Sequence, residues 1–239
     1  MSLYCLFSFQ EEALEVFVKS VHAYPMNWSA WLEISALASH KTILRSDRLP
    51  THWIKLFFLA HAYLELQLND PALDVCRGLL RCGFKRFVFL WSLIAIGHHN
   101  KRKSEESVEL FQLIRRVDPF RLDSMDVLSN LLYVRDEKAE LAKLARQASE
   151  IDRYRVETCC IVGNHYSLMG QHEKSAIYFQ EALKLNPNYL PAWTLLGHEY
   201  MELRNISAAI ESYRNAIEVN PRDYRSVGSE EMWCTYIPM

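Results

Sequence analysis

The sequence predicts an all-α fold, a right-handed superhelical solenoid of about six stacked helix pairs. Three observations carry this. Trp91 and Trp193 lie 102 residues apart, which is three times 34. The chain around them divides into blocks of 34 residues in which small, aromatic and proline residues return to fixed places. Hydrophobic residues make up 50% of the 239, with only seven glycines and eight prolines, so long helices can each bury an apolar stripe. Stacked helix pairs share one elongated core, so this length does not call for two globular domains.

The most complete block runs from Leu190 to Asp223. Its fourth, seventh, eighth and eleventh places hold Trp193, Leu196, Gly197 and Tyr200; places 20, 24, 27 and 32 hold Ala209, Tyr213, Ala216 and Pro221. This is the tetratricopeptide pattern, W-x2-L-G-x2-Y followed by a small residue, an aromatic and a proline, and each block folds as helix–turn–helix.

From the N-terminus, Ala13, Phe17, Ser20 and Pro25 match the second half of a partial first repeat. Trp28 to Leu37 reads as a first helix with Trp31 in the tryptophan place. The next matching place is Phe57, only 26 residues on, so the repeat over 28–53 is shortened and irregular, with Arg45 to Thr51 as a loop. Regular repeats occupy 54–223. The block from Ile54 places Phe57, Ala60, Leu64, Leu73 and Leu80, with Arg77 where an aromatic belongs. The block from Val88 has Trp91, Ile94, Ala95, Ser107, Phe111, Ile114 and Pro119. The block from Leu122 has Leu128, Ser129, Leu132, Leu141, Ala145 and Ala148, with Arg153 in the proline place. The block from Val156 has Val162, Gly163, Tyr166, Ser175, Phe179, Ala182 and Pro187. The array spans 1–223. Over 224–239 the pattern lapses, with Val227-Gly228-Ser229 where an aromatic is due. These residues read as a loosely held, uncapped tail that leaves the apolar face of Tyr213 and Ile217 partly uncovered.

Physical reasons underlie the places. Gly163, Gly197, Ala182 and Ala216 let helix axes approach, and Trp193, Tyr200 and Tyr213 fill the space beside them. Proline in Asn186-Pro187 and Asn220-Pro221 ends the second helix, because it lacks an amide donor and restricts the residue before it.

The composition narrows the function. A net charge of −2 supplies no basic stripe for nucleic acid. No run approaches the roughly 20 apolar residues of a membrane span, and Leu3 to Phe9 lacks the basic flank of a signal peptide. Cys5, Cys76, Cys82, Cys159, Cys160 and Cys234 form no C-x-x-C pair and read as buried free thiols. Asn205-Ile206-Ser207 fits a glycosylation sequon but reads as a helix cap. No phosphate loop, nucleophile elbow or metal motif occurs, so neither catalysis, a cofactor nor a metal is expected.

The chemistry falls on the inner face. Places 2, 5, 9, 12 and 13 of each first helix point into a groove. They hold Asp123, Asp126, Asn130 and Tyr133; then Glu157, Cys160, Asn164 and Ser167; then Thr194, His198, Met201 and Glu202. The predicted peptide-binding set is Asp123, Asp126, Asn130, Tyr133, Glu157, Asn164, Ser167, His198 and Glu202. Carboxylates and amides with no lysine or arginine among them suit an arginine side chain through charge-assisted hydrogen bonds. A merely solvated inner face stands beside this reading. Asn130 and Asn164, at the same place in successive blocks, are expected to hold their amides one repeat apart.

The runs SNLLYVR, EIDRYRVETCCIVGNHYSLMGQHEKSAIYFQEALKLNPNYL, AWTLLGHEYMELRN, SAAIESYRNAIEVNPRDYR and WIKLFFLAHAYLELQL resemble the subunit 8 family of the anaphase-promoting complex (cyclosome) over residues 4 to 225. The resemblance implies a non-catalytic scaffold subunit of a ubiquitin ligase, working in cell-cycle ubiquitination in the nucleus and cytoplasm. It implies other subunits of that complex and a coactivator's arginine-containing motif as partners, with neither nucleic acid nor membrane. The family's N-terminal repeats, used for homodimerisation, are missing here, which leaves homodimerisation open. The tail SVGSEEMWCTYIPM replaces a further family repeat. The alternative is a general tetratricopeptide co-chaperone or adaptor, which needs basic residues in the groove.

Overall fold

The computed structural model describes residues 3–37 and 48–219. The expectations for the 224–239 tail and for residues 45–47 of the Arg45–Thr51 loop lie outside these residues, as do those for the side chains of Cys5 and Cys234. Twelve α-helices and no strand occur among the described residues. They divide into two compact units, Met1–Val117 and Asp118–Met239.

The first unit contains α1 (Leu3–Ala23), α2 (Trp28–Leu37), α3 (Ile54–Glu65), α4 (Asn69–Arg81), α5 (Val88–Asn100) and α6 (Ser104–Val117). The second contains α7 (Met125–Val134), α8 (Lys138–Ile151), α9 (Val156–Leu168), α10 (His172–Leu185), α11 (Leu190–Glu202) and α12 (Ile206–Val219). The helices pack as successive pairs, α1 with α2 through α11 with α12.

The tryptophan place has a structural job. Trp31, Trp91 and Trp193 each donate their indole N–H to the carbonyl six residues back, Pro25, Lys85 and Pro187, at 2.8, 2.9 and 2.8 Å. The bond pins the first helix of a repeat to the connection that precedes it, using a carbonyl no helix satisfies. In the block from Val156 the Cys159 thiol reaches the Arg153 carbonyl in the same way, at 3.9 Å. A weak donor thus stands in the tryptophan place, and the connection keeps its path without proline at residue 153.

The small places are equally specific. A Cβ on Gly197 would sit 2.4 Å from the Tyr213 ring, and one on Gly163 would sit 2.7 Å from Phe179. Both rings are buried, so each glycine is the space its partner ring occupies. Ser107 and Ser175 donate to the carbonyls of Ala95 and Gly163, tying the second helix of a pair to the first at 2.8 and 2.9 Å. Helix α10 stops at Leu185, with Asn186 already extended before Pro187. Asn205 caps α12, its Oδ1 accepting from the Ala208 amide at 3.3 Å.

Two sequence expectations need correction. The left-handed residues between paired helices are Gln67, Arg102, Asp136, Gly170 and Arg204. Their intervals are 35, 34, 34 and 34 residues. The repeat placed from Ile54 is therefore one residue out of phase. With the block counted from Trp53, Ala60, Tyr63, Ala72, Cys76 and Leu79 take the small, aromatic and apolar places. Arg77 then lies outside, paired with Asp74 at 2.6 Å. The extra residue is absorbed in the turn after α4, where Gly83 has φ of 107°. The second correction concerns the block from Leu122. Ser124 is left-handed with φ of 64°, so α7 starts at Met125 and Asp123 stands before the helix rather than on its face.

The cysteines differ among themselves. Cys76, Cys159 and Cys160 are buried free thiols, but Cys82 is exposed because it follows the last turn of α4. Burial pushes the Cys76 thiol up to about 12.

Candidate functional site

Helices α7, α9 and α11 carry the predicted groove residues apart from Asp123, which precedes α7, and all lie within the second unit. At the start of the groove lies a compact charge cluster. The Arg155 guanidinium donates to Asp123 Oδ1 at 2.8 Å and to the two Glu157 oxygens at 3.2 and 3.3 Å. Arg121 lies 3.3 Å from the other Asp123 oxygen. The expectation that no arginine reaches this surface is thereby corrected. Arg121 and Arg155 each occupy the last place of a 34-residue block, ahead of the next first helix, and from there the side chain reaches the carboxylates of the inner face.

Tyr189, in that same place of the next repeat, does likewise. Its hydroxyl donates to Asp126 Oδ2 at 2.6 Å, across 63 residues of sequence. Asp126 is 6% exposed. Burial holds its carboxyl above the usual range, opposed by the Tyr189 hydrogen bond. Burial likewise raises the Tyr189 hydroxyl and the neighbouring Cys160 thiol.

The middle of the groove is a hydrogen-bond ladder between repeats. Asn164 Nδ2 donates to Ser129 Oγ at 2.8 Å and to Asn130 Oδ1 at 2.6 Å. The two asparagine amides therefore touch, where the spacing alone suggested anchors one repeat apart. Adjacent first helices bring equivalent places into side-chain reach, so one amide satisfies the other. Ser167 donates to Glu199 Oε1 at 2.6 Å and lies 3.3 Å from the Tyr133 hydroxyl. The second Glu199 oxygen meets His172 Nδ1 at 2.9 Å. Glu199 is 5% exposed, a buried carboxylate held at both oxygens.

The far end is more open. Glu202 is exposed at the end of α11, and Thr194 and Met201 are half-buried. His198 Nδ1 lies 2.9 Å from the Tyr213 hydroxyl.

The structure thus sorts the predicted residues. Asp126, Asn164 and Ser167 are buried parts of the ladder, Asn130 and Glu157 are half-buried, and Asp123, Tyr133, His198 and Glu202 are exposed. Arg155, Tyr189, Glu199 and Ser129 were missed. A signal for two of them existed, since Arg121, Arg155 and Tyr189 recur at intervals of 34. Ser129 falls at a place assigned to packing and Glu199 at one assigned to neither packing nor the groove, so only the contact geometry reveals them.

The family model for anaphase promoting complex subunit 8/Cdc23 matches residues 8–95, and tetratricopeptide models match 156–189 and 191–223. The subunit 8 of Dictyostelium discoideum is 49% identical over 198 residues, covering 82% of this chain and 33% of that protein. The chain belongs to the anaphase-promoting complex subunit 8/Cdc23 family. Further members of the family are close to it. The human cell division cycle protein 23 homologue is 54% identical over 141 residues, covering 59% of this chain and 24% of its own length. The Saccharomyces cerevisiae subunit CDC23 is 35% identical over 226 residues, covering 84% and 35%. The chain spans about a third or less of these relatives. The crystal structure of the APC/C hetero-tetramer Cut9–Hcn1 matches with a TM-score of 0.72, covering 89% of this chain and 43% of that one. At 18% identity that likeness concerns the fold.

Proposed function

We propose that the chain is a non-catalytic scaffold subunit of the anaphase-promoting complex, supporting cell-cycle ubiquitination in the nucleus and cytoplasm. Its array, residues 1–223, contacts other subunits of that complex, with 224–239 as a tail. The groove over α7, α9 and α11 receives an extended segment carrying arginine, such as a coactivator's motif.

The observation that carries the ligand reading is the Arg155 cluster. A guanidinium already lies between Asp123 and Glu157 at hydrogen-bonding distance, so the surface has the geometry for this group. An entering arginine takes Glu157, while Arg155 stays on Asp123. The peptide backbone then runs along Asn130, Tyr133 and His198 towards Glu202. The co-chaperone alternative needs cations that reach a ligand's carboxylates, and the arginines at this groove are already matched by Asp123 and Glu157.

Titration calorimetry with an arginine-containing coactivator peptide tests the groove. Glu157→Ala is expected to weaken binding by about tenfold, the value of one charge-assisted hydrogen bond. Replacing the peptide's arginine by lysine is expected to weaken it as well, since an ammonium lacks the planar fork. Unchanged affinity in both Glu157→Ala and Asn164→Ala would refute the groove reading. Affinity purification from dividing cells tests the scaffold reading separately, and recovery of chaperones without other ligase subunits overturns it.

A further inference from the structure

The first unit carries a surface that neither the repeat packing nor the groove uses. Helix α3 begins at Ile54, and the turn after α4 runs to Phe87 just before α5. Around the buried Phe57 these two segments gather a cluster of rings. Phe57 lies 5.8 Å from Trp53, 5.1 Å from Phe84 and 5.4 Å from Phe87, each edge-on, and Trp53 stacks on Phe84 at 5.6 Å. The cluster is only partly covered. Trp53 is 46% exposed, Phe87 47%, and Leu56, one turn along from Trp53, 40%. Contiguous exposed apolar surface of this kind marks an interaction site more often than it marks slack packing.

Charge distinguishes this patch from an ordinary apolar face. Residues 51–60 and 81–91, which build it, contain Lys55, Arg81, Lys85 and Arg86 and no aspartate or glutamate. The overall charge of the chain is −2, so the local excess of cations runs against the whole. Arg81, Lys85 and Arg86 are exposed. Lys85 and Arg86 sit between Phe84 and Phe87 in the turn, and the Trp91 indole holds that turn by the Lys85 carbonyl at 2.9 Å. Both exposed cations therefore stand between two rings of the cluster on a backbone that the Trp91 bond holds.

We propose that the Trp53–Leu56–Phe84–Phe87 surface, bordered by Arg81, Lys85 and Arg86, docks an acidic polypeptide segment that carries apolar side chains. The rings and Leu56 take the apolar side chains and provide the burial, while the three cations select carboxylates and set the approach. A nucleic acid fits less well. It needs a basic track along a backbone, whereas these cations are confined to one turn on an acidic chain.

The test uses the full chain and a fluorescein-labelled peptide alternating glutamate with leucine and phenylalanine. One position of the peptide carries a photo-crosslinking phenylalanine. Anisotropy is expected to saturate, to weaken with added salt, and to fall in affinity by about tenfold or more in Lys85→Glu/Arg86→Glu. Both residues are exposed, so the variant is expected to keep its helical circular dichroism. Crosslinks are expected within residues 52–57 and 84–87, and Trp53→Ser is expected to lose them. The proposal is overturned by absence of binding, by equal affinity in the charge-reversed variant, or by crosslinks on 123–202. Tighter binding of an oligothymidylate overturns it too, as does a dimer of the chain alone that Trp53→Ser dissolves. This inference is independent of the arginine groove, which lies on other residues.

Discussion

The two units hold neighbouring repeats together by different means. In the first, rings do most of it: Trp31 tilts over Phe58 at 4.9 Å, and Trp28 meets Phe89 edge-on at 5.5 Å. Polar bonds between repeats there, among the described residues, include Asn100 donating to Asn69 at 3.0 Å and Lys101 paired with Asp70. In the second, side-chain hydrogen bonds cross between repeats at Asp126–Tyr189, Asn130–Asn164 and Ser167–Glu199. One repeat pattern thus supports two kinds of seam. Where the seam is apolar, surplus ring surface is left for a partner. Where it is polar, acceptors and charge along the groove are matched by side chains of the neighbouring repeat.

The largest losses are expected where both units rely on ring packing, and there the difference between them should vanish. Phe179→Ala in the second unit and Phe58→Ala in the first should each cost about 3–5 kcal/mol by urea unfolding. Gly163→Ala attacks the Phe179 contact from the other side and should cost about 1–3 kcal/mol through overpacking. A Phe179→Ala cost well under that of Phe58→Ala would show that the ladder, and not the rings, holds the second unit.

Removing ladder polarity should then separate the units. Asn164→Ala removes the donor that Ser129 and Asn130 share in the seam and should cost about 1–3 kcal/mol. Asn100→Ala, at a part-buried bond with water at hand, should cost about 0.5–1.5 kcal/mol. Equal losses in denaturant unfolding would erase the distinction drawn here.

A pH difference should follow from Asp126. Burial holds its carboxyl above the ordinary range, so the folded state favours the protonated acid. The stability this contributes is complete below about pH 4, the unfolded value, and is lost as pH rises through the folded one. The melting temperature of the intact chain should fall relative to that of Asp126→Asn as pH rises through the folded value. Asp126→Asn, which keeps an acceptor for Tyr189, should flatten that dependence and melt no lower at neutral pH. A steeper dependence in the variant would contradict the assignment.

The smallest effect expected is at a helix end. Asn205→Ala removes the cap of α12 and should cost about 1 kcal/mol, with hydrogen exchange rising mainly over the first turn of that helix.

Much of this was legible because each repeat solves the same packing problem, and the solution leaves marks at fixed intervals. Trp31 was identified from phase alone, and its indole bond to Pro25 repeats those of Trp91 and Trp193. Gly163 and Gly197 were identified as close-approach positions, and Phe179 and Tyr213 fill the space they leave. The phase error near Ile54 arose because Phe57, Leu64 and Leu73 are apolar in either register; only the turn at Gln67 and the extra residue near Gly83 decide between them. The groove was legible in position but not in state. Place numbers put Asn130 and Asn164 on one face, yet a hydrogen bond between side chains from separate repeats depends on how closely those repeats stack.

The sequence by itself determined the helix pairs, the small-residue contacts and the family, since these rest on local periodicity and on spacing along one chain. Tertiary structure alone decided which groove residues are open, that Arg155 already serves Asp123 and Glu157, and that Asp126 lies buried under Tyr189. Burial and pairing are set by neighbours 32 and 63 residues away, and a linear pattern carries no distance between side chains that meet only once the repeats have stacked.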